Sequence, residues 1–209
     1  MWLSLVPLVL TASVLLLAPG LLITAVAGLP PRTAVSLAPA ASIGVIAGAG
    51  VIAPLVSVPW GAGLVVALTG ALVLAAAVAR LLAARLRARA GTDRPRAQRP
   101  ALADVLVHIV LLGVAALITA WLVARELNTP DAISQTFDAV FHLNAVEWVL
   151  RTGNASSVKC YLESPEGGVY PMGWHTLVAL TLKLTGSTSI PLATNAAAVA
   201  VSEIGRAHV

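Results

Sequence analysis

Long apolar runs divided by short breaks organise the chain. One run extends from the N-terminus to about Ala27, and two more follow at roughly 34–57 and 61–82. A fourth runs from about Ala101 to Val123. Each reaches the roughly 20 residues that a helix needs to cross the hydrocarbon of a bilayer. The pattern therefore predicts four transmembrane helices within residues 1–125.

Two further apolar runs follow a polar segment. The first predicts a shorter helix from about Met172 to Leu184 that returns inward as a fifth span. The second, from Pro191 to Ser202, has only about a dozen residues and stops short of a full crossing. We therefore expect an all-α, polytopic bundle of about five full spans plus a truncated sixth, with the fifth and the truncated sixth lying within 171–202.

The last seven residues, 203–209, change character abruptly from the apolar run before them. Back-translation of Ile204–Val209 can give ATC GGA AGA GCA CAC GTC, the sequence of a common sequencing-library adapter. We expect this tail to be foreign, the natural chain to continue after Ser202, and the 209 residues to be an N-terminal fragment. An ordinary polar C-terminus is the alternative.

Charge is scarce and unevenly placed. Only 11% of the residues are charged, against about 25% in soluble domains, which excludes a soluble globular protein. Seven arginines lie between Arg80 and Arg99, so the positive-inside rule predicts a cytoplasmic loop at 83–100. The N-terminus and the segment 126–170 then lie outside, in a multi-pass protein of the cell membrane. The excess of basic over acidic residues thus reflects membrane topology, and we expect no nucleic-acid partner.

The outer segment 126–170 contains six of the nine acidic residues and a predicted helix. Thr129 or Asn128 suits the N-cap, Pro130 the first helical position, and Asp131 the positive end of the helix dipole. Gly153 is suited to end this helix after Arg151. We predict an amphipathic helix over about 130–151 that lies at the membrane surface, with aromatic side chains on the face opposite its polar one.

The polar face of this predicted helix contains side chains that could act in catalysis or binding. Asp131, Gln135, Asp138 and His142 fall at spacings of i, i+4, i+7 and i+11, which aligns them. A carboxylate and an imidazole such as Asp138 and His142 can bind a divalent metal, take a proton or hold a phosphate. The alternative is a solvated polar face, and Asp131 has a structural explanation in its position at the helix start.

A second cluster, Tyr170-Pro-Met-Gly-Trp174-His175, lies where the chain re-enters the membrane. Tyr170 and Trp174 are typical of an interfacial aromatic belt. His175 is a stronger indication of a functional site, because an ionisable group in a membrane helix is costly and marks a site or a paired partner. Cys160 is the only cysteine, so neither an internal disulfide nor a cysteine-based metal site is available.

Three segments together resemble a family of actinobacterial polytopic membrane proteins. They are Asp138-Ala-Val-Phe-His142-Leu-Asn-Ala-Val146, Thr152-Gly-Asn-Ala-Ser156 and Tyr170–His175. That family is similar in layout to the GT-C class of glycosyltransferases, which use polyprenyl-phosphate sugars as donors. The resemblance covers roughly residues 1–202, and its specific part is confined to about 125–176.

The resemblance implies transfer of a sugar from a lipid phosphate to a cell-envelope acceptor on the outer face. Asp138, or second Asp131, would activate the acceptor hydroxyl directly or through a divalent cation. His142 and His175 would hold the phosphate or the metal. Tyr170, Trp174 and Gln135 would contact the substrate.

Two other classes of function compete with this enzyme. A transporter or flippase would use the acidic outer helix to gate a polar path, although transporters place ionisable groups near the bilayer midplane. A non-catalytic membrane assembly subunit would need neither histidine.

Overall fold

The computed structural model describes residues 2–90, 102–160 and 167–206, and this part of the chain is all-helical, without a β-strand. Seven α-helices follow one another: α1 (Leu5–Val26), α2 (Pro31–Leu55), α3 (Ala62–Ala90), α4 (Leu102–Leu127), α5 (Phe137–Thr152), α6 (Gly173–Thr185) and α7 (Ile190–Arg206). The predicted all-α class is confirmed for the described residues.

Three helical segments among the described residues are long and apolar enough to cross a membrane. They are Trp2–Val26, which joins a short 3-10 turn to α1, Pro31–Leu55 and Ala62–Ala90. These three segments coincide with the first three predicted spans and fit a membrane location. The fourth predicted span falls on α4, a helix of 26 residues.

Close contact between small residues joins α1 to α2. A Cβ added to Gly20 would overlap the Ala38 carbonyl oxygen, so only glycine allows this approach. The Gly20 backbone N–H donates to the Ser42 hydroxyl oxygen at 2.8 Å, although Gly20 and Ser42 belong to different helices. Small residues and cross-helix hydrogen bonds of this kind are how helices associate in lipid.

The predicted basic loop at 83–100 begins later than expected. α3 continues through Arg85, Arg87 and Arg89 to Ala90, so the first part of that segment is helical. Arginine in the last turn complements the negative end of the helix dipole, which accounts for the extension. The rest of the predicted loop, with Pro100, lies outside the described residues.

The helix predicted over 130–151 begins at Phe137 instead, with Thr136 as its N-cap residue. Asn128 adopts a left-handed conformation, the Ala132 N–H donates to the Thr129 carbonyl in a turn, and residues 132–135 are not helical. The helix-start signal at Pro130 is thus overridden by tertiary bonds described below. The predicted end is confirmed, because Gly153 caps α5 in the left-handed region at φ 69°.

α6 forms the centre of the packed region. Its residues from His175 to Leu182 are all buried, eight in succession. Gly173 lies against Ile43 and Ala47, midway along α2, whereas the Lys183 ammonium lies 4.8 Å from the ring centroid of Trp60, which follows α2. α6 therefore runs in the same direction as α2.

This direction corrects the prediction of a fifth span that returns inward. With 13 residues, α6 is shorter than the roughly 20 needed for a crossing, and it begins inside the bundle. The apolar pattern identified a buried helix, which periodicity alone does not distinguish from a span. α7 includes Glu203–Arg206, and the foreign origin of that tail stays a prediction.

Candidate functional site

A cavity of about 770 Å³ lies between the ends of α5, α6 and α7 and the non-helical segment 132–136. Most of its wall is apolar, with Ile43 of α2 among the lining side chains. Further apolar lining residues are Ala132, Ile133, Ala139, Leu143 and Pro171. An apolar pocket with a few convergent polar groups is the usual form of a ligand site.

Two histidines from different helices meet at the wall of this cavity. His142 of α5 and His175 of α6 both line it, and His142 Nδ1 lies 3.0 Å from His175 Nε2, a hydrogen-bond distance. The two rings are stacked with an interplanar angle of 26°. One imidazole must donate and the other accept, so the pair fixes complementary tautomers on the two rings.

His175 is the more deeply buried of the pair, with 2% of its surface exposed. Burial, followed by the charge of neighbouring His142, lowers the pKa of His175 from 6.5 to about 4. The ring is therefore neutral at physiological pH. Its second nitrogen, Nδ1, is buried and has no hydrogen-bond partner among the described residues.

Aromatic rings surround the histidine pair. Phe141 packs edge-on against Tyr170, with centroids 4.8 Å apart, and against His175 at 6.3 Å. Tyr170 itself lies 5.7 Å from the His175 ring. These contacts restrict rotation of the imidazole and exclude water from one side of it, so the pair is held in a defined geometry.

The first turn of α6 faces the same cavity. Gly173, Trp174 and His175 all line it. The N-cap residue, Met172, makes no side-chain cap hydrogen bond, and the first turn contains no acidic residue. The Met172 N–H is itself held by the Ser157 hydroxyl at 3.1 Å, which anchors the entry into the helix.

Asn195 of α7 fixes the opposite wall. Its Nδ2 donates to the carbonyl oxygens of Pro130 at 3.0 Å and Ala132 at 2.9 Å. These two bonds hold the segment after α4 in a non-helical path, which explains why α5 begins late. Sequence reasoning missed Asn195 and its neighbour Thr194, another lining residue, although two polar residues in the apolar run of α7 were a visible signal.

The predicted site residues divide into two groups. Four of them converge on the cavity: His142, Tyr170, Trp174 and His175. The other three are exposed and are not among its lining residues: Asp131, Gln135 and Asp138.

The late start of α5 removes two of these three from the predicted polar face, whereas Asp138 stays on α5, one turn before His142. Asp131 and Gln135 precede the helix, and the Gln135 side-chain amide donates to the Ile133 carbonyl at 3.0 Å. The prediction that they share a helical face with His142 was therefore wrong. Asp138 is in the first turn of α5, where a carboxylate complements the helix dipole, the structural role first assigned to Asp131.

The described residues do not supply the donor set of the divalent cation that the resemblance implies. They contain no group of three His, Cys, Asp or Glu side chains that could hold an ion. Catalytic zinc sites, for comparison, use three protein ligands. His142 Nδ1 and His175 Nε2 face each other in a hydrogen bond, which leaves neither of these two nitrogens available to a cation.

The model of one protein family matches residues 13–204, most of the chain, and its description is a family of unknown function (DUF6541). No curated protein and no solved structure matches the chain. The likeness to GT-C glycosyltransferases and the actinobacterial origin therefore remain predictions.

Proposed function

The chain belongs to the DUF6541 family, whose description assigns no function, and from its cavity we propose a membrane-embedded sugar transferase. The proposed donor is a polyprenyl-phosphate sugar, and the proposed acceptor is a glycan of the cell envelope on the outer face. Three long apolar helices, compatible with an integral membrane protein, support the membrane part of this proposal.

The observation that carries the proposal is the pairing of half-buried His142 with buried His175 at the wall of a mostly apolar cavity. An isoprenyl chain is apolar and a sugar phosphate is polar, so a cavity for such a donor needs both kinds of surface. Ile43 and Leu143 provide apolar wall, and the paired imidazoles provide polar groups. Tyr170 and Trp174 offer ring surface on which a sugar or lipid can pack.

In the proposed reaction His142 takes the proton. With His142 Nδ1–H donating to His175 Nε2, the lone pair on His142 Nε2 accepts the proton of the acceptor hydroxyl. The hydroxyl oxygen bonds to the anomeric carbon as the bond from that carbon to the phosphate oxygen breaks. The electron pair of the broken bond leaves with the phosphate. The His142 imidazolium keeps its hydrogen bond to the neutral His175 ring.

The carboxylates are less well placed for this step. Asp138, the residue that the resemblance implies as base, is exposed and is not among the cavity-lining residues, and the same is true of Asp131. A proton acceptor must reach the proton that it removes, directly or through one water. The geometry therefore favours His142 for this role.

A transporter or flippase is a second candidate, and one observation favours it. α6 begins midway along α2, so its N-terminus lies well inside the bundle. Transporters commonly place the ends of broken helices near the bilayer midplane, where they bind substrate. An inert assembly subunit, by contrast, gives no reason for a buried imidazole, that of His175, paired with a second one.

Reconstituted protein distinguishes these candidates. Proteoliposomes are loaded with short-chain polyprenyl-phosphate sugars carrying a radiolabel, and both label transfer to cell-envelope glycan and label movement across the bilayer are measured. The transferase predicts transfer that His142→Gln abolishes while protein level is unchanged. Movement of label without transfer would favour the transporter, and absence of both would remove both candidates.

We also propose the orientation in which the N-terminus and residues 126–170 are outside. Native Cys160 is buried and suits no labelling test, because its thiol lies against the Met172 sulfur at 3.9 Å. Phe137 is 96% exposed, so Phe137→Cys in a Cys160→Ala background gives a clean probe. We expect it to react with an impermeant maleimide in intact cells. Reaction only after permeabilisation would reverse the orientation.

A further inference from the structure

The end of α3 extends beyond the end of the helix beside it. The Arg80 guanidinium donates to the carbonyl oxygen of Val26, the last residue of α1, at 3.2 Å, so Arg80 marks the level at which α1 ends. Counted from Ala62, the roughly 20 residues that cross the hydrocarbon of a bilayer end at about the same level. Residues 82–90 of α3 therefore lie at the depth of the lipid headgroups and just outside them.

Only one side of α3 faces the protein. Its two buried residues, Val65 and Thr69, mark the side that packs on the bundle. At 3.6 residues per turn, Arg80 and Arg87 fall near that side, which agrees with the bond from Arg80 to α1 and with the partial burial of Arg87. The other sides of this extension are turned away from the protein.

Leucine and arginine alternate along a side that is turned away from the bundle. Four residues align there at spacings of i, i+3, i+4 and i+7, and we call them the Leu/Arg stripe: Leu82, Arg85, Leu86 and Arg89. All four are exposed, with Leu82 at 53% and Leu86 at 65%. The stripe is thus a surface that the described part of the protein leaves uncovered.

The composition of the Leu/Arg stripe suits the boundary between hydrocarbon and headgroups. Exposed leucines are favoured in lipid and disfavoured in water, whereas a guanidinium is costly in hydrocarbon. A long arginine side chain satisfies both demands, because its apolar stem lies along lipid chains while its charged end reaches the headgroups. A stripe made for water would not need the leucines, and one made for hydrocarbon would not contain the arginines.

The charge of this region selects the kind of lipid. The chain contains five arginines and no acidic residue before Asp93, so α1, α2 and α3 supply no carboxylate that could neutralise the stripe. A guanidinium can bond to two oxygens of one phosphate group, a geometry that an ammonium group does not match. Basic segments next to a membrane helix attract anionic lipids through the same charge complementarity.

We propose that the Leu/Arg stripe binds an anionic phospholipid in the leaflet at which α3 ends, the cytoplasmic leaflet in the proposed orientation. Arg85 and Arg89, one turn apart, donate to the phosphate oxygens of the headgroup. Leu82 and Leu86 lie against the upper part of the acyl chains. This surface belongs to a different helix from those of the histidine pair, so the proposal does not depend on sugar transfer.

Native mass spectrometry of the purified chain in a neutral maltoside detergent tests the proposal. The probes are dioleoyl phosphatidylglycerol, which is anionic, and dioleoyl phosphatidylcholine, which has the same acyl chains and no net charge. We expect phosphatidylglycerol to bind more tightly. Arg85→Gln and Arg89→Gln should each lower its affinity about 5-fold, and the double variant about 25-fold, the effect of removing basic residues next to an anionic lipid.

Matched variants separate a site from general loss of charge or of fold. Arg125→Gln removes the same charge from an exposed arginine at the end of α4, so it should leave phosphatidylglycerol binding unchanged. Arg85→Lys keeps the charge without the planar guanidinium and should bind more tightly than Arg85→Gln but less tightly than the natural chain. Glutamine is a good helix former, so helix content by circular dichroism should be the same in all variants.

Three results would overturn the proposal. Equal affinity for the two lipids would remove the preference for an anionic headgroup. An equal loss in Arg125→Gln and Arg85→Gln would show that net charge acts without a site. Short duplex DNA that displaces phosphatidylglycerol, and that itself requires Arg85 and Arg89, would make nucleic acid the partner of the stripe.

Discussion

α3 and α6 are both apolar helices, yet they differ in almost every structural respect. α3 has 29 residues, of which only Val65 and Thr69 are buried in the protein. α6 has 13 residues, and eight in succession are buried. Leu74 on α3 is 66% exposed, whereas Leu177 on α6 has no exposed surface.

The difference shows that apolar composition serves two purposes in this chain. The exposed leucines and valines of α3 suit contact with lipid, where apolar surface carries no penalty. α6 is enclosed by protein, and buried polar groups are tolerated there: the Thr176 and Thr181 hydroxyls donate to the carbonyls of Gly173 and Leu177, and His175 Nε2 pairs with His142. The chemistry of the molecule is accordingly found on the short helix.

The largest expected effect comes from truncating the same residue type on both helices. Leu177→Ala should leave a cavity in the packed region and cost about 2–5 kcal/mol of unfolding free energy. Leu74→Ala should cost under about 1 kcal/mol, because lipid or detergent fills the space. Denaturant titration of the detergent-solubilised protein measures both. Equal losses would contradict the division between packed and lipid-facing helices.

The effect of a glycine-to-alanine substitution on stability should be opposite in sign at packed and at open positions. A Cβ on Gly50 of α2 would overlap the Ala155 carbonyl oxygen, whereas a Cβ on Gly70 of α3 has nothing within 4 Å. We expect Gly50→Ala to destabilise by about 1–3 kcal/mol through overpacking. Gly70→Ala should stabilise by up to about 1 kcal/mol through helix propensity. Melting temperatures report both changes, and a stabilising Gly50→Ala would refute the contact.

Acid should weaken the packed region through His175. Its folded-state pKa is lowered from 6.5 to about 4, so the unfolded chain binds more protons between those two pH values. Stability is therefore fully retained above pH 6.5 and falls as the pH drops toward 4. Thermal unfolding across this range measures the slope, which His175→Gln should reduce. A slope that is the same in the variant would place the acid sensitivity elsewhere.

The smallest effect is expected at Asp138. Its exposed carboxylate in the first turn of α5 contributes a dipole interaction of about 0.3–1 kcal/mol, and Asp138→Asn should lose no more than that. Sugar transfer should survive in this variant and be lost in His142→Gln. Loss of activity in Asp138→Asn with normal protein level would return the role of base to the carboxylate.

Much of the fold was predictable because its signals are local. Apolar run length identified the three helices that are long and apolar enough to cross a membrane, and Gly153 identified the end of α5. The start of α5 was not predictable, because Asn195, more than 60 residues away along the chain, holds the carbonyls of Pro130 and Ala132. A side-chain bond across that separation leaves no periodic trace near Pro130.

The candidate site likewise depends on long-range contacts that the sequence pattern does not reveal. His175 was singled out from the cost of an ionisable group in an apolar helix, and His142 from its place on a polar face. Their direct contact was not expected, because it depends on α6 beginning midway along α2. Asp138 was ranked first from the resemblance and from its spacing to His142, and neither shows whether the side chain reaches a cavity.

Side-chain ¹⁵N resonances of the histidines test the central claim most directly. They are recorded in histidine-labelled protein in maltoside micelles, before and after addition of farnesyl phosphate, and are assigned with His142→Gln and His175→Gln. The account predicts that the His142 and His175 resonances report a shared hydrogen bond and move together when the phosphate binds. Binding that moves neither resonance would place the ligand elsewhere and contradict the assignment of this pair to the functional site.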